Sequence, residues 1–311
     1  MNALELNERA IGVANFMAGQ AGPMRAEVIE MECGARVIDC GVSATGGLET
    51  GLALSHVCMS DLAKIQMLHS EFAGRKMPHI QVSTDHPFAA CLLSQYAGWQ
   101  VTGDDYFGMG SGPMRLAACR EEMLKEFGFE PEVPPHAVGV LEAGKLPTED
   151  VCGDLMTKCG CGVTLLVAPT ASQAGNVQIV ARSVETAMHK LHEVGFDPRL
   201  VASGLGSAPL PAVAKDDLTG IGRTNDAILY GATVTLWVDC EDAEIEETGP
   251  KVPSNSSSAH GRSFAELFKE AKGDFYAIDK HLFSPAVVEF QNLRTGNVFR
   301  FGEIVEELVI L

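Results

Sequence analysis

The sequence predicts a layered α/β protein folded as two lobes, and three observations carry that expectation. Short apolar runs rich in β-branched residues alternate with helix-period stretches along the chain, the pattern of βα layering. Glycine is frequent, at 32 residues, while aromatic residues make up only 6%, which suits many tight turns better than an all-β sandwich. A chain of 311 residues is also more than one core usually organises. The stretch FEPEVPPH, residues 129–136 with three prolines, is the best boundary or crossover. It divides an N-terminal lobe of residues 1–135 from a C-terminal lobe of 136–311, with exchange of segments between lobes allowed.

The elements follow in order. Residues 3–19 read as an amphipathic helix. AEVIEME, a turn at Cys33-Gly34 and ARVIDCG form a hairpin with period-2 alternation. Gly46-Gly47 introduces a helix over 48–63, and strands are expected at 65–68 and 79–83. Thr84 or Asp85 caps a helix with Pro87 in its first turn. DDYFGMGSGPMRLAACREEML reads as a glycine-rich loop running into a helix. Beyond the boundary come a strand AVGVLEAG, a helix from Pro147-Thr148-Glu149, and the apolar strand VTLLVAP. One long helix then runs over 175–194 and ends near Gly195. ASGLGSAPLPAVA is a glycine-rich passage, and GIGRTNDAILYGATVTLWV a polar turn whose last half alternates as a strand. PSNSSSAHGRS is the most linker-like segment and is expected on the surface. A helix at 264–271, a hairpin around Arg294-Thr295-Gly296-Asn297 and a short terminal element close the chain.

Composition excludes several function classes. Hydrophobic residues at 46% and charged residues at 21% are a globular balance, not a disordered one. A formal net charge of -18 repels phosphate backbones, so nucleic acid is not an expected partner. No run approaches the ~18 apolar residues of a membrane span. The N-terminal stretch lacks the basic region and continuous apolar core of a secretion signal, so a cytoplasmic protein is expected. Nine cysteines without a secretion signal are then reduced thiols. Cys152, Cys159 and Cys161 lack the paired spacing and fourth ligand of a structural zinc site. No metal is expected.

Four stretches can carry chemistry. On the helix over 175–194, Val177, Val180, Val184, Met188, Leu191 and Val194 form an apolar stripe. Gln178, Arg182, Glu185, His189 and His192 form a polar one. A solvent-facing side with an i,i+3 ion pair explains that spacing, worth roughly 0.2–0.5 kcal/mol. So does a cleft-facing carboxylate that handles a water proton beside a cation that holds its ionised form. GMGSGP offers Gly110, Ser111 and Gly112 before a helix, either as backbone N–H donors to an anion or as a plain tight turn. It lacks the G-x-G-x-x-G spacing of a dinucleotide loop and the Gly-Lys-Ser/Thr of a phosphate-binding loop. Asp85 and His86 stand at a strand end, where α/β proteins build sites and where a helix cap serves equally. Arg223 and Asn225 precede a strand in what reads as a hydrogen-bonded turn.

VIDCGVSATGGLETGL, QVSTDHPF, GWQVTGDDYFGMGSGPMR, LLVAPTASQAGNVQIVARSVET, GRTNDAILYGATVTLWV and DFYAIDKHLFSPA resemble, in order and over almost the whole chain, the methenyltetrahydromethanopterin cyclohydrolase family. The resemblance implies a two-lobed α/β fold with the pterin in a cleft between lobes, and a homo-oligomer, typically a trimer. It implies reversible hydrolysis of 5,10-methenyltetrahydromethanopterin to 5-formyltetrahydromethanopterin, in formaldehyde oxidation or in methanogenesis. The tetrahydromethanopterin derivative is the substrate, and no cofactor is required. The family's catalytic Arg and Glu, three apart, match Arg182 and Glu185 in QIVARSVET. By position in the matching blocks, Asp85, His86, Gly110, Ser111, Gly112, Thr170, Ser172, Gln178, Arg223 and Asn225 are expected to bind substrate. A folate-type cyclohydrolase and a non-catalytic pterin carrier are the competing assignments.

Overall fold

A computed structural model describes residues 4–119, 121–130 and 132–309. Residue 3, the expected start of the first helix, and Pro131 in the proline-rich stretch lie outside the described residues. In chain order the elements are α1 (Leu6–Gly19), β1 (Glu27–Glu30), β2 (Arg36–Asp39), α2 (Leu48–Cys58), β3 (Lys64–Phe72), β4 (Arg75–Thr84), a π-helix (Phe88–Gln95), β5 (Trp99–Gly103), β6 (Tyr106–Ser111), α3 (Met114–Ala118), α4 (Glu122–Glu126), β7 (His136–Glu142), α5 (Glu149–Cys159) and β8 (Gly162–Ala168). They continue with α6 (Gln173–Val180), α7 (Ser183–Glu193), β9 (Val201–Pro209), α8 (Asp217–Leu229), β10 (Thr233–Val238), α9 (Asp242–Thr248), α10 (Phe264–Glu270), β11 (Val287–Asn292) and β12 (Val298–Gly302). Short 3₁₀ turns sit between the later elements, among them Ser254–Ser256 and Lys280–Leu282. No helix among the described residues is long and apolar enough to cross a membrane.

The α/β expectation holds, in two compact units. One takes the chain up to Leu62 together with Leu92–Gln178; the other takes Ala63–Cys91 and the chain from Ile179 onward. Residue 135 lies inside the first unit, where β6 before it pairs with β7 after it.

The first unit is built on a six-stranded sheet in the order β1-β2-β8-β7-β6-β5, with β2, β8 and β7 parallel and the rest antiparallel. The run of β8 is apolar but for the buried Thr164 because both of its faces are covered. Val163, Leu165 and Val167 pack with Val151, Cys152 and Leu155 of α5, while Leu166 and Ala168 pack with Ala10 and Ala14 of α1 and Leu54 and Val57 of α2. Thr148 caps α5 by accepting from Val151 N, as its position predicts. Asp39, wholly buried at the end of β2, accepts backbone N–H bonds from Gly41, Val42, Ser43 and Ala44 at 2.7–2.9 Å. One carboxylate thereby satisfies the whole turn of the loop after β2.

The second unit carries the sheet β12-β11-β10-β9-β4-β3, in which only β10 and β11 are parallel. α7 packs on β9 and β10, and α8 on β9 and α10. An apolar cluster of Leu229, Tyr230, Phe264, Leu267, Phe268 and Leu282 fills the space beneath α8 and α10.

Five local expectations are corrected. GMGSGP is not a loop: Gly108 and Gly110 lie in β6, paired with β5. ASGLGSAP is strand β9. GRTNDAIL is helical, part of α8, not a turn. The helix after Pro87 is a π-helix, and Thr84 Oγ1 closes the turn before it by accepting from His86 N at 3.0 Å. PSNSSSAHGRS is not wholly surface, since Ser254 and Ser257 are buried.

Asp226 on α8 is buried and accepts from Phe264 N at 2.8 Å, capping α10 from outside the helix. Burial raises its carboxyl from the ordinary 3.8 to about 7, against the opposing bond from Phe264 and with the help of Glu266. The folded state therefore holds this proton more tightly than the unfolded chain does. The associated stability is fully present below pH ~4 and is lost as pH rises through 7. Asp226→Asn keeps the acceptor without the charge. It is expected to raise stability at pH 8 by about 1–3 kcal/mol and to flatten the dependence between pH 4 and 7. Thermal melts of both proteins across that range check this; equal slopes would refute it.

Candidate active site

The long helix expected over 175–194 is broken. α6 ends at Val180, Ala181 and Arg182 form a turn, and α7 begins at Ser183. Arg182 N donates to Ile179 O at 3.0 Å and Arg182 O accepts from Thr186 N at 2.9 Å, so Arg182 stands at the N-cap of α7. Glu185 lies in the first turn of α7, where the helix dipole favours a carboxylate. The break interrupts the polar stripe: Gln178 belongs to α6 and the first unit, the other four residues to the second. Burial at its centre excludes the solvent-facing explanation of that stripe. Arg182 is 7% exposed and Glu185 5%, so neither faces solvent. His189 and His192 are half-buried further along.

Both charges act on one buried thiol. Cys91, on the π-helix, is fully buried. Burial pushes its thiol well above the usual range, the Glu185 carboxylate pushes it further, and the Arg182 guanidinium pulls the other way. Carboxylate, guanidinium and a thiol kept protonated therefore share one desolvated place in the second unit.

Glycine seats α7 there. A Cβ on Gly206 would lie 2.3 Å from Ser183 Oγ, and one on Gly204 would lie 2.8 Å from Val184 Cγ1 and 3.8 Å from Pro87 Cβ. The start of α7 and the turn leading into the π-helix thus both rest against bare backbone of β9. Ser203 Oγ beside them donates to Asp85 Oδ1 at 2.8 Å. Asp85 and His86 are in this way brought to the strand end where α7 begins.

The remaining expected residues fall in three places. In the first unit, Cys58 Sγ lies 3.5 Å from Ser111 Oγ and 3.7 Å from Gln178 Oε1, all three buried. Gly110 continues β6, and Gly112 takes the left-handed φ of 88°, its N–H bonded to Ser94 O at 2.9 Å. Also in the first unit, Thr170 Oγ1 donates to Glu142 Oε1, and Ser172 Oγ donates to Pro169 O at 2.7 Å while accepting from Gly175 N at 2.9 Å. Glu142 ends β7 and Thr170 follows β8, and the helices after these neighbouring strands cover opposite faces, α5 one and α6 the other. That makes their carboxyl ends a topological switch point, where open α/β sheets bind ligands. In the second unit, Arg223 Nη1 donates to Ala212 O at 3.1 Å and Asn225 Nδ2 to Ile221 O at 2.8 Å. Those two side chains serve their own helix and the loop before it.

Sequence reasoning missed Asp39, Cys58, Cys91 and Glu142. Asp39 had a readable signal, an Asp at a strand end followed by CGVSATGG. The buried thiols had none. Among the described residues no group of three or more His, Cys, Asp or Glu side chains is arranged to hold a metal ion.

The family profile described as "Cyclohydrolase (MCH)" matches residues 5–310. The chain belongs to this family. Proteins named methenyltetrahydromethanopterin cyclohydrolase are similar to it. That of Rhodopirellula baltica is 49% identical over 278 residues, covering 87% of this chain and 84% of that protein. That of Methanosarcina barkeri is 41% identical over 313 residues, covering 99% and 97%, and that of Methanococcoides burtonii 40% over 306 residues, covering 97% and 95%. In this chain the seat of α7 on β9 sets the buried Arg182 and Glu185.

Gly206→Ala puts a methyl group into the space of Ser183 Oγ and should lift the start of α7. A loss of roughly 1–3 kcal/mol is expected, the cost of overpacking a filled site. Gly153→Ala, on α5 with open space around it, should instead gain about 0.5–1 kcal/mol. Chemical denaturation of the two variants beside the parent checks the contrast; equal effects would remove the special status of Gly206.

Proposed function

We propose that this chain catalyses the reversible hydrolysis of 5,10-methenyltetrahydromethanopterin to 5-formyltetrahydromethanopterin, with Glu185 as the acid–base group and Arg182 as its partner. The observation that carries the proposal is the burial of these two charges around one thiol, at the positions the resemblance matches to the family's Arg and Glu. The substrate's methenyl carbon lies between two nitrogens that share a positive charge, so it is electrophilic without further polarisation. Glu185 takes a proton from water as the oxygen bonds to that carbon, giving a neutral tetrahedral carbinolamine. The bond from carbon to the arylamine nitrogen then breaks, and Glu185 returns the proton to that nitrogen. The one-carbon unit stays on the other nitrogen as a formyl group once its hydroxyl proton leaves for solvent, so the cation and water give a neutral product and one released proton. A carboxylate can serve as base and then as acid in such a sequence.

Arg182 supplies N–H donors to the nascent formyl oxygen and a fixed positive charge beside Glu185. The chain's acidity, a net charge of -18, favours approach of a cation. Proposed binding groups are Asp85 and His86 beside the pair, with Gly110, Ser111, Gly112, Thr170, Ser172 and Gln178. The proposal includes no cofactor, a cytoplasmic setting and a homotrimer; sedimentation of the purified protein tests the assembly.

Loss of the methenyl chromophore measures the reaction. The wild-type protein should hydrolyse 5,10-methenyltetrahydromethanopterin at a rate indifferent to a chelator. Glu185→Gln should lower kcat by about 10²–10⁴-fold. Turnover of the methenyltetrahydrofolate analogue alone would move the substrate to the folate class. Binding without turnover would make the protein a carrier. A Glu185→Gln enzyme of normal kcat would remove the acid–base assignment.

A further inference from the structure

The far end of α7 carries a charge that the proposed reaction does not use. Lys190 lies five residues after Glu185 and is fully buried. Its Nζ donates to Ser256 Oγ at 3.1 Å and to the backbone oxygen of His281. Two stretches of unrelated sequence build this socket. From PSNSSSAHGRS, Ser256 Oγ also donates to Lys251 O at 2.8 Å, Ser254 Oγ to Leu229 O, and Ser257 Oγ to Asp279 Oδ2. From DFYAIDKHLFSPA, the Asp279 carboxyl accepts from His281 N at 3.0 Å and faces Lys190. Behind them Glu193 pairs with Lys280 and lies 3.7 Å from His189, with His192 also near.

The ammonium group is a net cost to the fold. Burial lowers Lys190 to about 8, against the opposing attraction of Asp279 and Glu193. The folded protein therefore holds this proton less tightly than water does. An apolar side chain of similar length would fill the place without that penalty. What the ammonium adds is direction. Val184, Met188 and Leu191 press α7 onto the sheet through contacts that tolerate small slides and rotations. Hydrogen bonds from Nζ to acceptors on two separate turns do not tolerate them.

We propose that Lys190 is a positioning residue: locked into the socket of Ser256, the His281 carbonyl and Asp279, it fixes the rotation and height of α7 and so the placement of Arg182 and Glu185. The proposal rests on the catalytic roles assigned above. It also gives a purpose to the two blocks, serine-rich and DFYAIDKHLFSPA, that the reaction itself leaves unexplained.

The test compares wild type, Lys190→Met, Asp279→Asn and the double variant. It measures kcat and KM per folded protein and amide hydrogen exchange over residues 183–187. Lys190→Met should lose about tenfold or more in kcat, since small misplacements of catalytic groups are costly, with KM within about twofold of wild type. Asp279→Asn should lose part of that, and the double variant should be no worse than Lys190→Met, because both act through one socket. Exchange over 183–187 should quicken by about tenfold in Lys190→Met. A normal kcat in folded Lys190→Met, or unchanged exchange, overturns the proposal. If the wild type fails to turn over the methenyl substrate, the functional assignment falls and exchange alone decides whether Lys190 anchors α7. Ser256→Ala, which removes one acceptor from the exposed side, carries the same measurements if Lys190→Met does not fold.

Discussion

Two missing side chains set the second unit's site. Gly204 and Gly206 leave the face of β9 bare, and Ser183 and Val184 occupy the volume that Cβ atoms would need. Because α7 starts so close to the sheet, its N-cap residue and first turn are buried along with it. Arg182 and Glu185 come off a helix that can neither retreat from the sheet nor expose them. Pro87 meets the same bare backbone, so the turn that carries Asp85 and His86 is referred to the same strand. Placing groups on packed secondary structure rather than on a free loop holds the geometry that proton transfer needs.

Burial also sets the electrostatics. A carboxylate and a guanidinium removed from water interact far more strongly than they would on a surface, and each carries a desolvation cost of several kcal/mol. The neighbouring Cys91 adds no third charge, since burial and Glu185 keep its thiol protonated. In the proposed reaction, the cationic substrate and the developing oxygen are the two species such a pair would distinguish from water. Its surroundings need not reorganise as charge shifts, because they are already fixed.

Much of the architecture was legible in the sequence, for physical reasons that can be named. VTLLVA reads as a strand because its one polar residue, Thr164, is β-branched among apolar neighbours, and it is the central parallel strand β8. The hairpins β1–β2 and β11–β12 announced themselves by alternation around glycine turns. Glycine misled where it served packing instead of turning. In β6 and β9 it sits in regular strands because a neighbour comes too close for a side chain, and a propensity argument reads such runs as loops. Gly222 did the same inside α8, where a Cβ would meet Ala265 Cβ at 2.9 Å. The break at Ala181-Arg182 has no proline or glycine to mark it. The Arg182–Glu185 spacing was visible, but its burial was not, because burial depends on β9 and the π-helix as well as on α7. Lys190 illustrates the limit most clearly: its partners lie 66 and 91 residues away, beyond any local pattern.

A single carboxylate that must take a proton and then give it back faces opposite demands at the two steps. As base it must meet water, and as acid it must meet the departing nitrogen. Moving the side chain between two places would cost ordering at each turnover, and a loosely held helix would lose rate at both steps. Holding the helix still and letting the proton alone move is the less costly arrangement. The bare backbone of β9 at one end of α7 and the Lys190 socket at the other supply that stillness by different physics. Close packing limits the distance of the helix from the sheet but leaves it some freedom to rotate. Directional hydrogen bonds to two separate turns remove that freedom, at the expense of a buried charge. On the proposed role of Lys190, neither device alone would specify where Glu185 points, and the two together would.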